Sequence, residues 1–124
     1  MNVTSRRFGP AAVLNVSGRL DQDTCEAFRG ELMKQVEAAA RASGGVVLDL
    51  SGLEYVSSAG LRCFMLAARQ AKSQHGRIHV AALQPMVAEI FEISHFNLVF
   101  QVFPTVREAI GAVSAEAASA FEKG

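Results

Sequence analysis

Gly44-Gly45-Val46-Val47-Leu48-Asp49-Leu50 (GGVVLDL) is the stretch that decides the fold. Two glycines end whatever precedes them. The compact apolar run behind them reads as an interior strand of a parallel sheet, because a strand covered on both faces has no polar side to show. Parallel neighbours need crossover connections, usually helices, and the flanking sequence supplies them. Upstream, Cys25, Phe28, Leu32 and Val36 follow at spacings of three, four and four, one face of a helix that should stop before Ser43. Asp23-Thr24-Cys25-Glu26 has the pattern of a capping box for its start. Downstream, a second helix should begin near Ser57 or Ser58, with Leu61, Phe64, Met65 and Ala68 facing inward and Gly76 as its end.

Further out, Val3 to Phe8 and Ala11 to Ser17 read as two short strands around the turn signal Gly9-Pro10. Ile78 to Ala82 is another strand, and Pro85 suits the first turn of a short third helix containing Val87, Ile90 and Phe91. Val99 to Phe103 is a last strand closed by Pro104. Thr105-Val106-Arg107-Glu108 is a second capping-box pattern, opening a C-terminal helix. The Ala-rich run from Val113 to Gly124 is the end of that helix or a frayed tail. Residues 1–124 contain no repeat or linker, so one domain is expected. A hairpin followed by helix-strand alternation predicts an α/β fold with a mainly parallel sheet, an antiparallel N-terminal hairpin and about four helices. Phe28, Leu32, Val47, Leu48, Leu61, Met65 and Val80 are expected to share one core.

The length, 124 residues, is that of one ordinary domain with a proper core. Half of the residues are apolar and 19% are charged, which argues against disorder. Twelve basic residues balance twelve acidic ones. With no basic run or aromatic-basic cluster, neither nucleic acid nor a membrane surface is an expected partner. No apolar segment follows the N-terminal MNVTSRRFG, so it does not read as a secretory signal. The longest uncharged stretch, Ile93 to Val106, is too short to span a bilayer, and the expected location is cytoplasmic. Cys25 and Cys63 stand far apart within helical patterns and read as buried reduced thiols, with a disulfide or a reactive thiol as the rarer alternatives.

Chemistry is sparse. His75 and His79 are separated by Gly76 at a helix end and do not share a helical face; His95 stands alone, so no metal site is expected. Ser58 is not in a G-x-S-x-G elbow, since Val56 stands where the first glycine would be. Phosphate-loop and dinucleotide patterns are absent. The chain does not read as an enzyme, and it calls for no cofactor. What remains is Leu53 to Arg62 (LEYVSSAGLR), where two adjacent hydroxyls precede Ala59-Gly60. One serine explains a helix N-cap; the second invites modification or recognition. A strand-to-helix turn lies at the surface, and Ala59 and Gly60 would let a partner backbone come close. A phosphate there would sit at a helix N-terminus, which tolerates anions, and would add about −1.5 to −2 charges. On local pattern, capping and modification both stay open.

Taken together, these segments resemble the STAS family, specifically the small bacterial anti-sigma factor antagonists. Ser17-Gly18-Arg19-Leu20-Asp21 is similar to the family's glycine-x-leucine-aspartate turn, and Val46 to Ser51 to its central strand. Tyr55-Val56-Ser57-Ser58-Ala59-Gly60-Leu61 falls on its phosphorylation loop. Pro85 with the following helix, then Phe103-Pro104-Thr105 with the last one, come in order. The resemblance implies partner switching. An unphosphorylated antagonist binds an anti-sigma factor that is also a serine kinase, freeing the sigma factor. Phosphorylation from Mg-ATP releases the antagonist, and a serine phosphatase resets it. Ser58 matches the phospho-acceptor, with Ser57 as the second candidate. Ser57 stands where aspartate is usual and Ala59 where the next hydroxyl is usual. Ser57, Ser58, Ala59, Gly60, Leu61 and Arg62, with Asp21 and Asp23 beside them, would form the partner surface. The alternative is a STAS subunit of another assembly, such as a lipid-transport complex, using the loop only for docking.

Overall fold

A computed structural model describes residues 1–74, 76–96 and 100–123. β1 (Asn2–Phe8) and β2 (Ala11–Leu20) form a hairpin across Gly9-Pro10. Two-residue hairpin turns favour a positive φ, and Gly9 supplies it at +56°. There follow α1 (Cys25–Arg41), β3 (Gly45–Val56), α2 (Ser58–Ser73), β4 (Ile78–Ala81), α3 (Pro85–Ile93), β5 (Gln101–Phe103), α4 (Val106–Val113) and α5 (Ala115–Lys123). The sheet order is β1-β2-β3-β4-β5, with β1 antiparallel and the other pairs parallel.

The crossovers through α1, α2 and α3 all step the same way across the sheet. A common right-handed sense therefore lays these helices on one face, and α4 and α5 cover the other. Strand alternation sorts the side chains between the two layers. Ala12, Leu14, Val16, Val46, Leu48 and Leu50 enter the first core with Phe28, Leu32, Phe64 and Phe91, whereas Ala11, Val13 and Val47 meet Ala109, Ile110 and Val113 in the second. The single core expected from sequence is thus two. Phe28, Leu32, Leu48 and Val80 share the first, Val47 belongs to the second, and Leu61 and Met65 are only partly buried at the margin of the first.

Three elements differ from expectation. β3 runs to Val56, beyond the expected Leu50, because register shifts opposite Asn15/Ser17 and Gly18/Arg19 put extra residues into it. Each irregularity breaks the period of two that marks a strand in sequence. The fully buried residues of α2 are Gly60, Cys63, Phe64, Ala67 and Ala71; of the expected inward face Phe64 is among them, whereas Leu61, Met65 and Ala68 are only partly buried against the same core. The Ala-rich C-terminal run forms a helix of its own, so the described residues contain five helices rather than about four. Ser114 is extended and its Oγ accepts the Ala117 N–H at 2.9 Å. That cap restarts the helix, and Arg107 pairs with Glu122 across the α4–α5 turn. α2 ends at Ser73, before Gly76, and β4 ends at Ala81, with Ala82 at a φ of 59°. Of the expected last strand, Val99 lies outside the described residues.

Candidate functional site

Parallel pairing brings the carboxyl ends of β2 and β3 side by side, and the turn into α2 is tied there. The Ser57 N–H donates to the Leu20 carbonyl at 3.0 Å. Ser57 is extended (φ −80°, ψ 173°), as an N-cap must be, and its Oγ accepts the Gly60 N–H at 3.0 Å. The first helical bond runs from the Leu61 N–H to the Ser57 carbonyl at 2.9 Å. Ser57 is therefore consumed by the fold. Ser58, the first residue of α2, is exposed, and its hydroxyl makes no hydrogen bond among the described residues.

Gly60 corrects one expectation. It is buried, and a Cβ on it would lie within contact distance of the Leu20 carbonyl oxygen and 3.1 Å from Val56 Cγ1. The close approach it permits is to the chain's own β2, so it does not belong to an open surface.

The turn from β2 into α1 is built on Asp21. Its Oδ1 accepts the N–H groups of Asp23 at 3.0 Å and Thr24 at 3.2 Å. Thr24 Oγ1 accepts the Asp21 N–H and donates to the Arg19 carbonyl, both at 3.0 Å. The N-cap of α1 is Thr24, with no side-chain bond to the helix, so the expected capping box at Asp23 does not form. The carboxylate that organises the turn is two residues earlier. Arg19 stacks over Tyr55 at 4.4 Å from the ring centroid, joining the two strand ends on the outside.

Between this turn and α2 lies an open groove of about 690 Å³. Gln22, Cys25 and Glu26 form one wall; Ser58, Ala59, Arg62, Cys63 and Leu66 form the other. Of the residues singled out from sequence, Ser58, Ala59 and Arg62 line it. Ser57 caps the helix at its edge, Leu61 packs against the core, Asp21 is held in the turn, and Asp23 is exposed outside the lining. Gln22, Glu26 and Leu66 were not anticipated; the spacing of four through Ser58, Arg62 and Leu66 was a usable signal for the last.

The groove floor brings a second correction. Cys25 and Cys63, expected as reduced thiols, are disulfide-bonded, with Cα atoms 5.9 Å apart across a sequence separation of 38. Neither residue's helical spacing could show that successive crossovers set the first turn of α1 against the second turn of α2.

His79 lies elsewhere, on the second face of the sheet, 5.6 Å edge-on from Phe103. It is buried, and neither ring nitrogen has a partner among the described residues. Burial, and secondarily the charge of Arg77, lowers its pKa below the ordinary 6.5. His75, the other member of the rejected metal pair, is outside the described residues.

Comparison with known proteins agrees with this architecture. The family model described as Mlab, STAS domain, matches residues 3–101. BtrV of Bordetella bronchiseptica, named as an anti-sigma factor antagonist, is 37% identical over 112 residues, which cover 90% of this chain and 93% of the relative. Among solved structures, an anti-sigma factor antagonist from Mycobacterium paratuberculosis superposes with a TM-score of 0.76 at 24% identity, over 90% of this chain and 92% of that one. The phosphorylated form of the Bacillus cell fate determinant SpoIIAA superposes with a TM-score of 0.65 at 18% identity, over 90% and 98%. With the family model matching residues 3–101 and a relative 37% identical over 90% of its length, the chain belongs to the STAS domain family.

Proposed function

We propose that this protein is an anti-sigma factor antagonist working by partner switching, and that Ser58 is its phospho-acceptor. The unphosphorylated protein engages an anti-sigma factor that is also a serine kinase, through the Ser58–Arg62 face of α2 and the adjoining groove. The kinase transfers a phosphoryl group from Mg-ATP to Ser58 Oγ, the complex dissociates, and a serine phosphatase restores the hydroxyl. The protein acts as binding partner and substrate, brings no cofactor of its own, and works in the cytoplasm. No helix among the described residues is long and apolar enough to cross a membrane.

The observation that carries this reading is the division of labour between the two serines. Ser57 Oγ holds the Gly60 N–H, while Ser58 Oγ is exposed at the mouth of the groove. A kinase needs a hydroxyl it can reach without unfolding its target, and of the two serines Ser58 offers one. The 37% identity to a relative named as an antagonist supports the same role.

The test is incubation with the cognate kinase and Mg-ATP, followed by phosphopeptide mapping. Label on Ser58, abolished in a folded Ser58→Ala protein that still binds the kinase, is expected. Ser58→Asp should bind more weakly, since the interface must then desolvate a charge. Label on Ser57 alone would overturn the assignment, and no label on either would leave the loop a docking surface only.

A further inference from the structure

We propose that Cys25 and Cys63 form a thiol–disulfide exchange site for low-molecular-weight thiols and disulfides, and that its redox state sets the shape of the groove beside Ser58. The role of that groove rests on the function proposed above; the exchange chemistry does not.

The bond joins the first residue of α1 to the second turn of α2. Both cysteines line the groove, but unequally: Cys63 is 1% exposed, whereas Cys25 is partly exposed. An incoming thiolate therefore meets Cys25 Sγ from the groove. It forms a new S–S bond there as the Cys25–Cys63 bond breaks; the electron pair leaves on Cys63 Sγ, which takes a proton from solvent. A second thiolate then attacks the external sulfur of this mixed disulfide. The small disulfide departs and Cys25 leaves as a thiolate, at a helix N-terminus whose dipole favours an anion, before it too is protonated. The sum is one protein disulfide and two small thiols giving two protein thiols and one small disulfide, and oxidation is the reverse.

The position of the bond explains why its state matters to the groove. Thr24 gives α1 no side-chain cap, so the disulfide is a covalent tie between this end of α1 and α2. Breaking it lets the sulfurs move from bonded to van der Waals separation and frees the wall carrying Gln22 and Glu26 from the wall carrying Ser58 and Arg62. Disulfides that occur in the reducing cytosol of mesophiles are usually transient ones that catalyse or sense, and this one, although Cys63 is part of the first core, opens to the groove on its Cys25 side.

Two measurements test this on the full-length protein without denaturant. In the first, the protein is equilibrated in glutathione buffers from fully reduced to fully oxidised, acid-quenched and alkylated. Both cysteines should be alkylated at the reducing end and neither at the oxidising end, with a glutathione adduct on Cys25 between. Alkylation at every ratio, or a bond that yields only after unfolding in urea, would overturn the exchange site. In the second, amide exchange over the first seconds should be several-fold faster in residues 21–30 and 57–66 of the reduced protein, with β2 to β4 unchanged. Cys25→Ser should match the reduced protein in either buffer. Equal exchange in those segments would overturn the coupling to the groove. Neither readout involves a kinase, so failure here leaves the Ser58 assignment standing, and an unlabelled Ser58 leaves the exchange site standing.

Discussion

Gly60→Ala adds a single methyl group where α2 crosses the end of β2. The new Cβ would lie 2.9 Å from the Leu20 carbonyl carbon and 3.1 Å from Val56 Cγ1, with the carbonyl oxygen closer still. Backbone on one side and a β-branched side chain on the other cannot swing away, so the first turn of α2 must lift. Lifting stretches the Ser57 N–H bond to the Leu20 carbonyl, 3.0 Å in the native fold, a contribution of about 0.5–1.5 kcal/mol. It also disturbs the Ser57 cap, where losing the side-chain oxygen altogether costs about 0.5–2 kcal/mol. Forced overpacking by itself costs about 1–3 kcal/mol. These are facets of one displacement and do not add. Against them stands a helix-propensity gain of roughly 1 kcal/mol for replacing glycine by alanine. The expected net loss is about 1–3 kcal/mol, read as a lower urea midpoint at unchanged slope. Gly30→Ala in α1 and Gly111→Ala in α4 are the controls. An added Cβ meets nothing within 4 Å at either site, so both should gain up to about 1 kcal/mol. Gly60→Ala as stable as its controls would refute the claim that this glycine serves the chain's own backbone, and would return it to the partner surface.

Leu48 is fully buried in the first core, whereas Leu66 stands 44% exposed at the groove. Leu48→Ala should cost about 2–5 kcal/mol and Leu66→Ala no more than about 0.5 kcal/mol; equal urea midpoints for the two would show that the core is misplaced. His79 gives a pH signature. Its folded pKa is lowered from 6.5, by burial first and Arg77 second, so the unfolded chain binds the proton more readily. The stability this histidine permits is therefore full above pH 6.5, and it falls as the pH drops below that value towards the depressed folded pKa. His79→Leu should flatten that part of the profile, below pH 6.5; an unchanged slope in urea titrations would remove His79 as its source.

The parts of the fold that sequence revealed are those whose cause is local. Val46, Val47 and Leu48 are apolar at successive positions because both faces of β3 are covered there. Thr105 is legible as a cap because its oxygen bonds the N–H of Glu108, three residues on, at 3.2 Å. Where the cause lies across the sheet, pattern fails. Leu53 and Val56 point inward only because β3 carries extra residues against β2. The buried face of α2 is mostly small residues, which a search for large apolar side chains passes over. Gly60 makes the same mark in sequence whether its open side awaits a partner or already holds the Leu20 carbonyl. The candidate site divides along the same line: Ser57 and Ser58 were legible as a pair, but their separate duties follow from one backbone conformation and one hydrogen bond. Asp21 was legible as an acid near the loop, and its use within the turn was not.

That separation of duties gives the proposed switch its energetic logic. A modification that alters partner choice must act on the complex without unfolding the free protein, because a ligand or charge shifts an equilibrium only by its difference between two states. Were the acceptor also the cap, phosphorylation would disturb the Gly60 N–H bond and the fold with it. With the cap on Ser57, a phosphate on Ser58 displaces no bond of the native structure. Its charge sits at the N-terminus of α2, where a helix dipole favours an anion by about 0.3–1 kcal/mol. Arg62, one turn along the same groove, supplies a counter-charge, and Glu26 on the facing wall opposes it; exposed pairs of this kind contribute about 0–1 kcal/mol. These small effects leave the free protein close to unchanged. A partner closing over the groove removes the water that makes them small, and an ionised group buried without full compensation costs several kcal/mol. Each 1.4 kcal/mol of that difference is about a tenfold loss of affinity, so two or three such increments, borne by the complex alone, are sufficient to release it.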